Sequence, residues 1–598
     1  MTTPETRLAV AHAAIAQGEL ASAKAHLAAL LNDERLGVDA EHALAVVERR
    51  LGNFKAARAH FEAALRARPD DPYVLNNFAN CLRDADDPAA AIGLYRRALE
   101  LEPKYLDALV NLGLTLKNQD RLDEARATLQ HAVEIAPAQQ KAWHALGVVL
   151  RDLGELDDAA TALDRALTLA PGNIQALHAR ARVEAERGGH ALKFYALARN
   201  AAPDDPEITL GYAVAKFESG QGDAAIATLE QLTASRPEWV QGHTALAQIR
   251  WQLGDTGNFA RSFAAALHEL PGDVALHIAC FGTLMRSGRY AAVLDRLDTA
   301  RLTLGAEDLL DRYEAVCASE SGDFARAEQA FARQRASADR GLQVAHLRHL
   351  LRTRRPDEAA REAEGIVQMP DGMQAWPYLG IAWRLLEDPR ADWLDGNGRL
   401  FAQFDCEEML PKLQRLAAIL RGIHHGRIHP FDQSLRGGTQ TDGHLFGRSE
   451  PEIAALRACI EAGVARYVKQ LPPPDPRHPF LQQPRSGFRF AGSYSVRLRR
   501  QGFHVSHMHP QAWISCCFYI DMPASIGNDA SNPAGWLQIG LPPHELGLDL
   551  PATALVKPVP GRLALFPSIM WHGTVPFEEG ERLTVVSDLV AASVQDAD

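Results

Sequence analysis

The chain has 598 residues, 46% of them hydrophobic and 23% charged, with a net charge of −12. That length exceeds one ordinary core and predicts several domains, or a repeat array joined to a domain. An acidic balance without a dense Lys/Arg run argues against nucleic acid, no stretch nears the ~18 uninterrupted apolar residues of a membrane span, and the start MTTPETRLAVAHAAIAQGEL lacks the basic and apolar regions of a signal peptide.

Prolines recur at Pro69, Pro103, Pro137 and Pro171, each 34 residues after the last, and after a two-residue deletion the spacing resumes at Pro203, Pro237 and Pro271. Ala57 and Ala64, Ala91 and Ala98, Ala125 and Ala132, and Ala159 and Ala166 hold fixed offsets before each proline. Gly18, Gly52, Asp86, Asp120 and Gly154 keep one turn phase, and Gly113, Gly147 and Trp143 fall where a helix–turn–helix unit wants them. Alanines let the two helices of a hairpin approach closely, and the proline ends the second helix. The pattern resembles tetratricopeptide (TPR) repeats. Each unit buries its apolar face only against its neighbours, which gives a superhelix with a concave groove for a protein or peptide partner. The plainer reading of the groove is a spacer or a dimerisation surface.

Past residue 271 the pattern weakens, yet 321–335 and 354–367 still read as second helices. The array is placed at 1–388, clearest over 1–271 and degenerate over 272–388. Residues 389–484 read as a helical lead-in, with helices over 407–423 and 450–471, closed by the stiff proline connector 471–484. Residues 485–598 hold short β-branched and aromatic runs between turns, as a jelly roll would. Seven cysteines (Cys81, Cys280, Cys317, Cys406, Cys459, Cys516 and Cys517), with no CxxC pair, fit reduced thiols and a cytoplasmic location. Cys516 and Cys517 are expected on opposite sides of a strand as small apolar filling.

The β region carries the chemistry. His507-Met508-His509 puts two imidazoles on one face of an extended run. His572, 65 positions on, ends a unit of glycine turn, buried strand and proline stop that starts at Gly561. Three imidazoles on one side of a metal leave the opposite positions to a co-substrate and O2, which suits non-haem Fe(II). His504, an odd number of positions from His507, is expected to face away, and His424, His425 and His429 are read as surface or packing. Arg582 and Thr584 share one strand face and suit the distal carboxylate of 2-oxoglutarate, through a bidentate ion pair and a hydroxyl bond. The plainer reading is a surface arginine paired with Glu581 or Asp588. Trp513, Phe518, Tyr494 and Trp571 are available as apolar walls or as core, and Tyr494 and Ser495 could aid oxoglutarate binding.

The runs HVSHMHPQAWISCCFYIDMP, GRLALFPSIMWHGTVP and RLTVVSD, with HPFDQSLRGGTQT upstream, resemble the 2-oxoglutarate/Fe(II) oxygenase domain of bacterial TPR proteins over about 170 residues, 429–598. The layout is also similar to aspartyl/asparaginyl β-hydroxylases, as an architecture only, since the ligand spacing differs. The resemblance implies an all-α TPR superhelix followed by a double-stranded β-helix with flanking helices. It implies His507 and His572 as iron ligands, Arg582 with Thr584 as the oxoglutarate anchor, and a dioxygenase that uses Fe(II), 2-oxoglutarate and O2 to hydroxylate a protein or peptide. Two departures stand out. Most of the superfamily has HxD or HxE where this chain has His509, so three neutral imidazoles leave the metal's charge uncompensated by protein; either anionic oxoglutarate compensates, or two histidines bind and water fills the gap. The usual RxS is RxT here. Two other readings stay open. One is a cupin-type three-histidine metalloenzyme without oxoglutarate, against which PQAWIS and Ser568-Ile569 lack the cupin Glu and Gly. The other is a non-catalytic TPR scaffold with a degenerate jelly roll.

Overall fold

The computed structural model describes residues 3–305, 307–431 and 433–592; residues 593–598, the end of the expected β domain, and Asp432 within HPFDQSLRGGTQT lie outside the described residues. The chain divides into two compact units, Met1–Ala185 with Lys193–Ala202, and Glu186–Leu192 with Pro203–Asp598.

The first unit stacks helical hairpins, such as Pro72–Asp84 with Pro88–Leu101 and Leu106–Asn118 with Leu122–Ile135. Each hairpin turns through one left-handed residue: Gly18, Gly52, Asp86, Asp120 and Gly154 have φ of 79, 77, 62, 57 and 78°. Aspartate tolerates that region better than most side chains, which is why it can alternate with glycine there. Pro69, Pro103, Pro137 and Pro171 each stand just past a second helix. The eight alanines named above are fully buried. A Cβ on Gly113 would lie 2.5 Å from Leu129 Cγ, so bare backbone is what lets those helices touch.

Hairpins continue in the second unit. Left-handed turns at Gly220, Gly254, Gly288 and Gly322 keep the 34-residue spacing well past residue 271. Ala327, Ala330, Ala359 and Ala363 are buried at the helix contacts, so the weakened repeats retain the small residues that packing demands. These hairpins share one apolar core with the β region, in which Leu347, Leu350, Leu379 and Trp383 pack with Ile514, Phe518, Leu563, Leu565, Leu583 and Leu589. The expected border at residue 388 therefore runs through packed core, and the division between compact units falls near residues 186–203 instead.

Among the described residues nine strands follow: β1 (Ala402–Asp405), β2 (Leu435–Gln440), β3 (Phe488–His504), β4 (Ile514–Asp521), β5 (Leu537–Ile539), β6 (Ala554–Val556), β7 (Arg562–Pro567), β8 (His572–Thr574) and β9 (Arg582–Ala591). They form an antiparallel sheet in the order β1-β7-β4-β9-β3-β2, with a smaller sheet β6-β5-β8, a jelly-roll arrangement. Both edge strands of the larger sheet come from 389–484, the segment expected to be a helical lead-in, which also supplies the helices Leu413–Gly422 and Pro451–Gln470. AQFD and LRGGTQ are too short or too glycine-rich to read as strands alone; pairing with β7 and β3 decides them. The glycines of β2 serve a bulge: the register shifts between Arg436 and Gly438, and Gly437 has φ of 67°.

Central β4 is buried from Ile514 to Ile520 because both of its faces are covered. Cys516, Phe518 and Ile520 join the shared core. Cys517 and Tyr519 turn to the space between the sheets with Leu537, Ile539, Val556 and Phe566. Burying each large apolar side chain contributes about 1.5–3 kcal/mol. All seven cysteines are buried and free. Among the described residues no helix is long and apolar enough to cross a membrane.

Candidate metal centre

Beyond His504 the chain leaves β3 and, through a bend at Ser506, runs on pinned by single backbone bonds. Val505 N–H donates to Ser434 O at 2.9 Å, and His509 N–H to Ser568 O at 2.8 Å. His507 and His572 exchange N–H···O bonds of 3.0 and 2.9 Å. The HxH pair thus sits just past a strand, and the bridge holds β8 opposite it. Ring centroids are 4.9 Å apart for His507–His509, 4.2 Å for His507–His572 and 5.2 Å for His509–His572. One potential ligand nitrogen from each ring lies within 4.8 Å of the other two.

Two of the rings are oriented by backbone carbonyls. His507 Nδ1 is 2.8 Å from Val505 O, and His572 Nδ1 is 2.9 Å from Met570 O. Protons on those nitrogens leave Nε2 lone pairs for a metal. Burial, with the neighbouring imidazoles adding to it, pushes the His507 pKa down to about 3 and holds His572 well below the usual histidine value. Both are neutral at physiological pH, the form that ligates. Three imidazoles are a donor set that suits Fe, Zn or Cu.

The third ring has a different support. His509 Nδ1 lies 3.3 Å from Asp588 Oδ2, and the same carboxylate accepts a 2.6 Å hydrogen bond from Ser515 Oγ. The negative charge absent from the HxH pair is therefore supplied from behind its second histidine.

Alternate residues of β9 face inward, and its register with β4 sets Tyr519 opposite Thr584 and Ser515 opposite Asp588. Arg582 is only 2% exposed and forms no ion pair among the described residues. Its guanidinium carbon lies 5.2 Å from the Tyr519 ring centre. Among the described residues, Arg582 Nε, Thr584 Oγ1 and Tyr519 Oη are all buried without a hydrogen-bond partner. Each such atom costs about 1–3 kcal/mol, and an unpaired buried cation costs more. A guanidinium flanked by two hydroxyls is a cradle for a carboxylate. Glu581, the alternative partner for Arg582, instead binds Arg421 at 2.6 Å and also contacts Arg497.

The three histidines and Arg582 line one cavity of about 670 Å³, within the range of small-molecule sites. Repeat helices complete it: Arg286 ends Val274–Arg286, Tyr290 starts Tyr290–Leu304, and Arg348 and Tyr378 come from Arg340–Arg352 and Trp376–Leu385. Tyr494 and Trp571 are among its walls, whereas Trp513 and Phe518 belong to the core. Ser495 lies off the cavity and binds His424 Nε2 at 3.0 Å. The other nitrogen of His424 meets Thr439 Oγ1 at 2.8 Å, and the His429 carbonyl accepts the Trp251 indole N–H at 2.9 Å; both rings pack rather than line the cavity. His504 departs from expectation. It faces the cavity, stacked at 19° on His507 with centroids 5.8 Å apart, because strand parity ends with β3 and the chain bends at Ser506. Ser434 Oγ bridges the two rings, 3.0 Å from His504 Nδ1 and 3.1 Å from His507 Nε2.

Asp588, Tyr519, Ser434 and the repeat-helix residues escaped sequence reasoning. Asp588 had a signal, since it shares strand parity with Arg582 and Thr584. Tyr519 and the repeat residues had none, because their roles depend on pairing and packing.

The family model described as Putative 2OG-Fe(II) oxygenase matches residues 492–588, which hold the three histidines, Arg582, Thr584 and Asp588. Two models described as Tetratricopeptide repeat match residues 8–72 and 183–249, and the Cilia and flagella-associated protein 70 middle TPR-like domain matches 42–170. Among solved structures, a tetratricopeptide repeat protein from Parabacteroides merdae is 16% identical, with 39% of this chain and 92% of that chain covered and a TM-score of 0.33. The C-terminal part of a TPR repeat-containing protein from Cytophaga hutchinsonii is 17% identical, covering 40% and 99% with a TM-score of 0.32. A thermophilic TPR protein from Thermus thermophilus is 28% identical, covering 30% and 98% with a TM-score of 0.27. Among curated proteins none matches.

Proposed function

From a chain that carries tetratricopeptide repeats followed by a C-terminal 2OG-Fe(II) oxygenase domain, we propose an Fe(II)- and 2-oxoglutarate-dependent dioxygenase that hydroxylates a protein or peptide in the cytoplasm. One observation carries the reading: Arg582, buried and without an ion pair among the described residues, lines the same cavity as three convergent imidazoles, with the buried hydroxyls of Thr584 and Tyr519 behind it.

Iron and oxoglutarate, when bound, supply the oxidising power to hydroxylate a C–H bond with O2. The chain's own residues do the rest. His507, His509 and His572 would hold the metal, and Asp588 fixes the His509 ring while offsetting positive charge. Arg582 would take the distal carboxylate of oxoglutarate with Thr584 Oγ1 and Tyr519 Oη donating beside it. The repeats offer a surface for a protein partner.

Anaerobic titration of Fe(II)-loaded protein with 2-oxoglutarate tests the reading. A weak visible charge-transfer band is expected, absent in His572→Ala and Arg582→Ala. Iron binding without the band moves the chain to cupin-type chemistry; no metal binding makes it a scaffold.

A further inference from the structure

The cavity's charge runs against the rest of the protein. The chain carries −12 overall, yet the lining holds four arginines (Arg286, Arg348, Arg436 and Arg582) against two carboxylates (Glu545 and Asp588). Two of the arginines are accounted for. Arg582 belongs to the cradle described above. Arg348 is neutralised by Glu320 at 2.9 Å and bonded to the Tyr378 hydroxyl at 3.3 Å.

Arg286 and Arg436 are not. Neither forms an ion pair among the described residues. Arg286, on the last turn of a repeat helix, lies over the Phe431 ring at 5.6 Å and donates to Thr283 Oγ1 at 3.4 Å. Arg436, at the β2 bulge, spends one nitrogen, Nη1, on the carbonyls of Gln433 and Leu435, both at 2.8 Å. Its remaining donors make no hydrogen bond to protein among the described residues. Burial pulls its pKa below the usual arginine value, a cost that an anion alongside would offset. Of the two acids in the lining, Asp588 is engaged by Ser515 and His509, and Glu545 lies 3.4 Å from His544. Guanidinium forks from two separate elements, one in the repeats and one in the β region, thus face a single cavity without an ion pair among the described residues, Glu545 acting on Arg436 only from beyond ion-pair distance.

Resting on the oxygenase reading, we propose that this cavity accepts a substrate bearing a carboxylate or phosphate, held by Arg286 and Arg436 while the carbon to be hydroxylated lies at the metal. The repeat helices would then act in the site itself, selecting the substrate's charge. A guanidinium recognises either oxyanion through paired N–H donors.

The test uses full-length protein with Fe(II) and saturating oxoglutarate under anaerobic conditions. Four probes are titrated: N-acetyl-Ala-Glu-Ala-amide, its phosphoserine and glutamine counterparts, and free N-acetylglutamate. Binding is read from the charge-transfer band and from tryptophan fluorescence, since Trp571 lines the cavity. An acidic or phosphorylated probe is expected to bind at least about tenfold more tightly than the glutamine peptide. Arg286→Gln and Arg436→Gln should each remove most of that preference and leave oxoglutarate affinity unchanged. Tighter binding of the peptides than of N-acetylglutamate places the anion on a polypeptide, and the reverse places it on a small acid; either supports the subsite. Equal binding of the glutamine peptide, no binding by any acidic probe, or loss of oxoglutarate affinity in the arginine variants overturns it. If the charge-transfer band never forms in the native protein, the oxygenase reading fails, while fluorescence still reports whether the arginines select an anion.

Discussion

Replacing Arg582 by methionine should move stability and co-substrate binding in opposite directions. Arg582 is 2% exposed and has no carboxylate partner among the described residues, and exchanging buried ionic groups for packed apolar ones is often stabilising by about 1–4 kcal/mol. Against this stands the lost contact with the Tyr519 ring at 5.2 Å, worth about 0.5–2 kcal/mol. The ligand-free variant should therefore unfold at or above the temperature of the native protein. Oxoglutarate binding should fall steeply, because removing one side of a buried, hydrogen-bonded charge pair costs about 2–5 kcal/mol. That is roughly thirtyfold to several thousandfold in Kd. Calorimetric titration of the anaerobic Fe(II) protein reads the affinity, and thermal unfolding with and without oxoglutarate reads the linkage. Native protein at a hundred times its Kd gains about 2.7 kcal/mol from the ligand; the variant should gain almost nothing at the same concentration. A variant that binds within about threefold of native, or that unfolds well below it without ligand, would refute the cradle.

Asp588→Asn keeps the shape behind His509 and removes the charge, and metal affinity measured against a competing chelator should drop about 10–100-fold; unchanged affinity would make Asp588 a packing residue only. Burial pushes the pKa of His424 down to about 3, below its unfolded value, so its contribution is intact above about pH 6.5 and is lost as pH falls from there towards 3. At pH 5 that loss is about 2 kcal/mol, and His424→Asn should flatten the acid limb of a denaturant-midpoint profile by that amount. Gly113→Ala sets a Cβ 2.5 Å from Leu129 Cγ and should destabilise the first unit by about 1–3 kcal/mol in urea unfolding; no shift would mean the hairpin gives way easily.

Features set by local chemistry were legible in the sequence. The 34-residue period, the left-handed turns at Asp86 and Asp120, and the alanine contacts all follow from what one hairpin needs of its own residues. The HxH parity survived even outside a regular strand because single backbone bonds pin the run. Features set by pairing were not legible. β1 and β2 became strands only because β7 and β3 offered edges to them. His504 obeyed no parity rule once β3 had ended. Tyr519 gained its place from the β4–β9 register, and Arg286 and Arg436 stand in one cavity through packing between elements about 150 positions apart in the chain. No window of sequence contains that juxtaposition.

The cavity lining begins at Met285 and ends at Asp588, and this has a consequence for how such a chain can diverge. Duplicating a hairpin before residue 186 lengthens the repeat array and leaves every lining residue in place. The same duplication between Tyr290 and Arg348 would pull Arg348 and Tyr378 out of the wall they form. Repeat number is thus free to drift at one end of the array and frozen at the other. Under the proposed subsite, a single exchange in a repeat helix would alter the cavity's charge while leaving His507, His509 and His572 untouched.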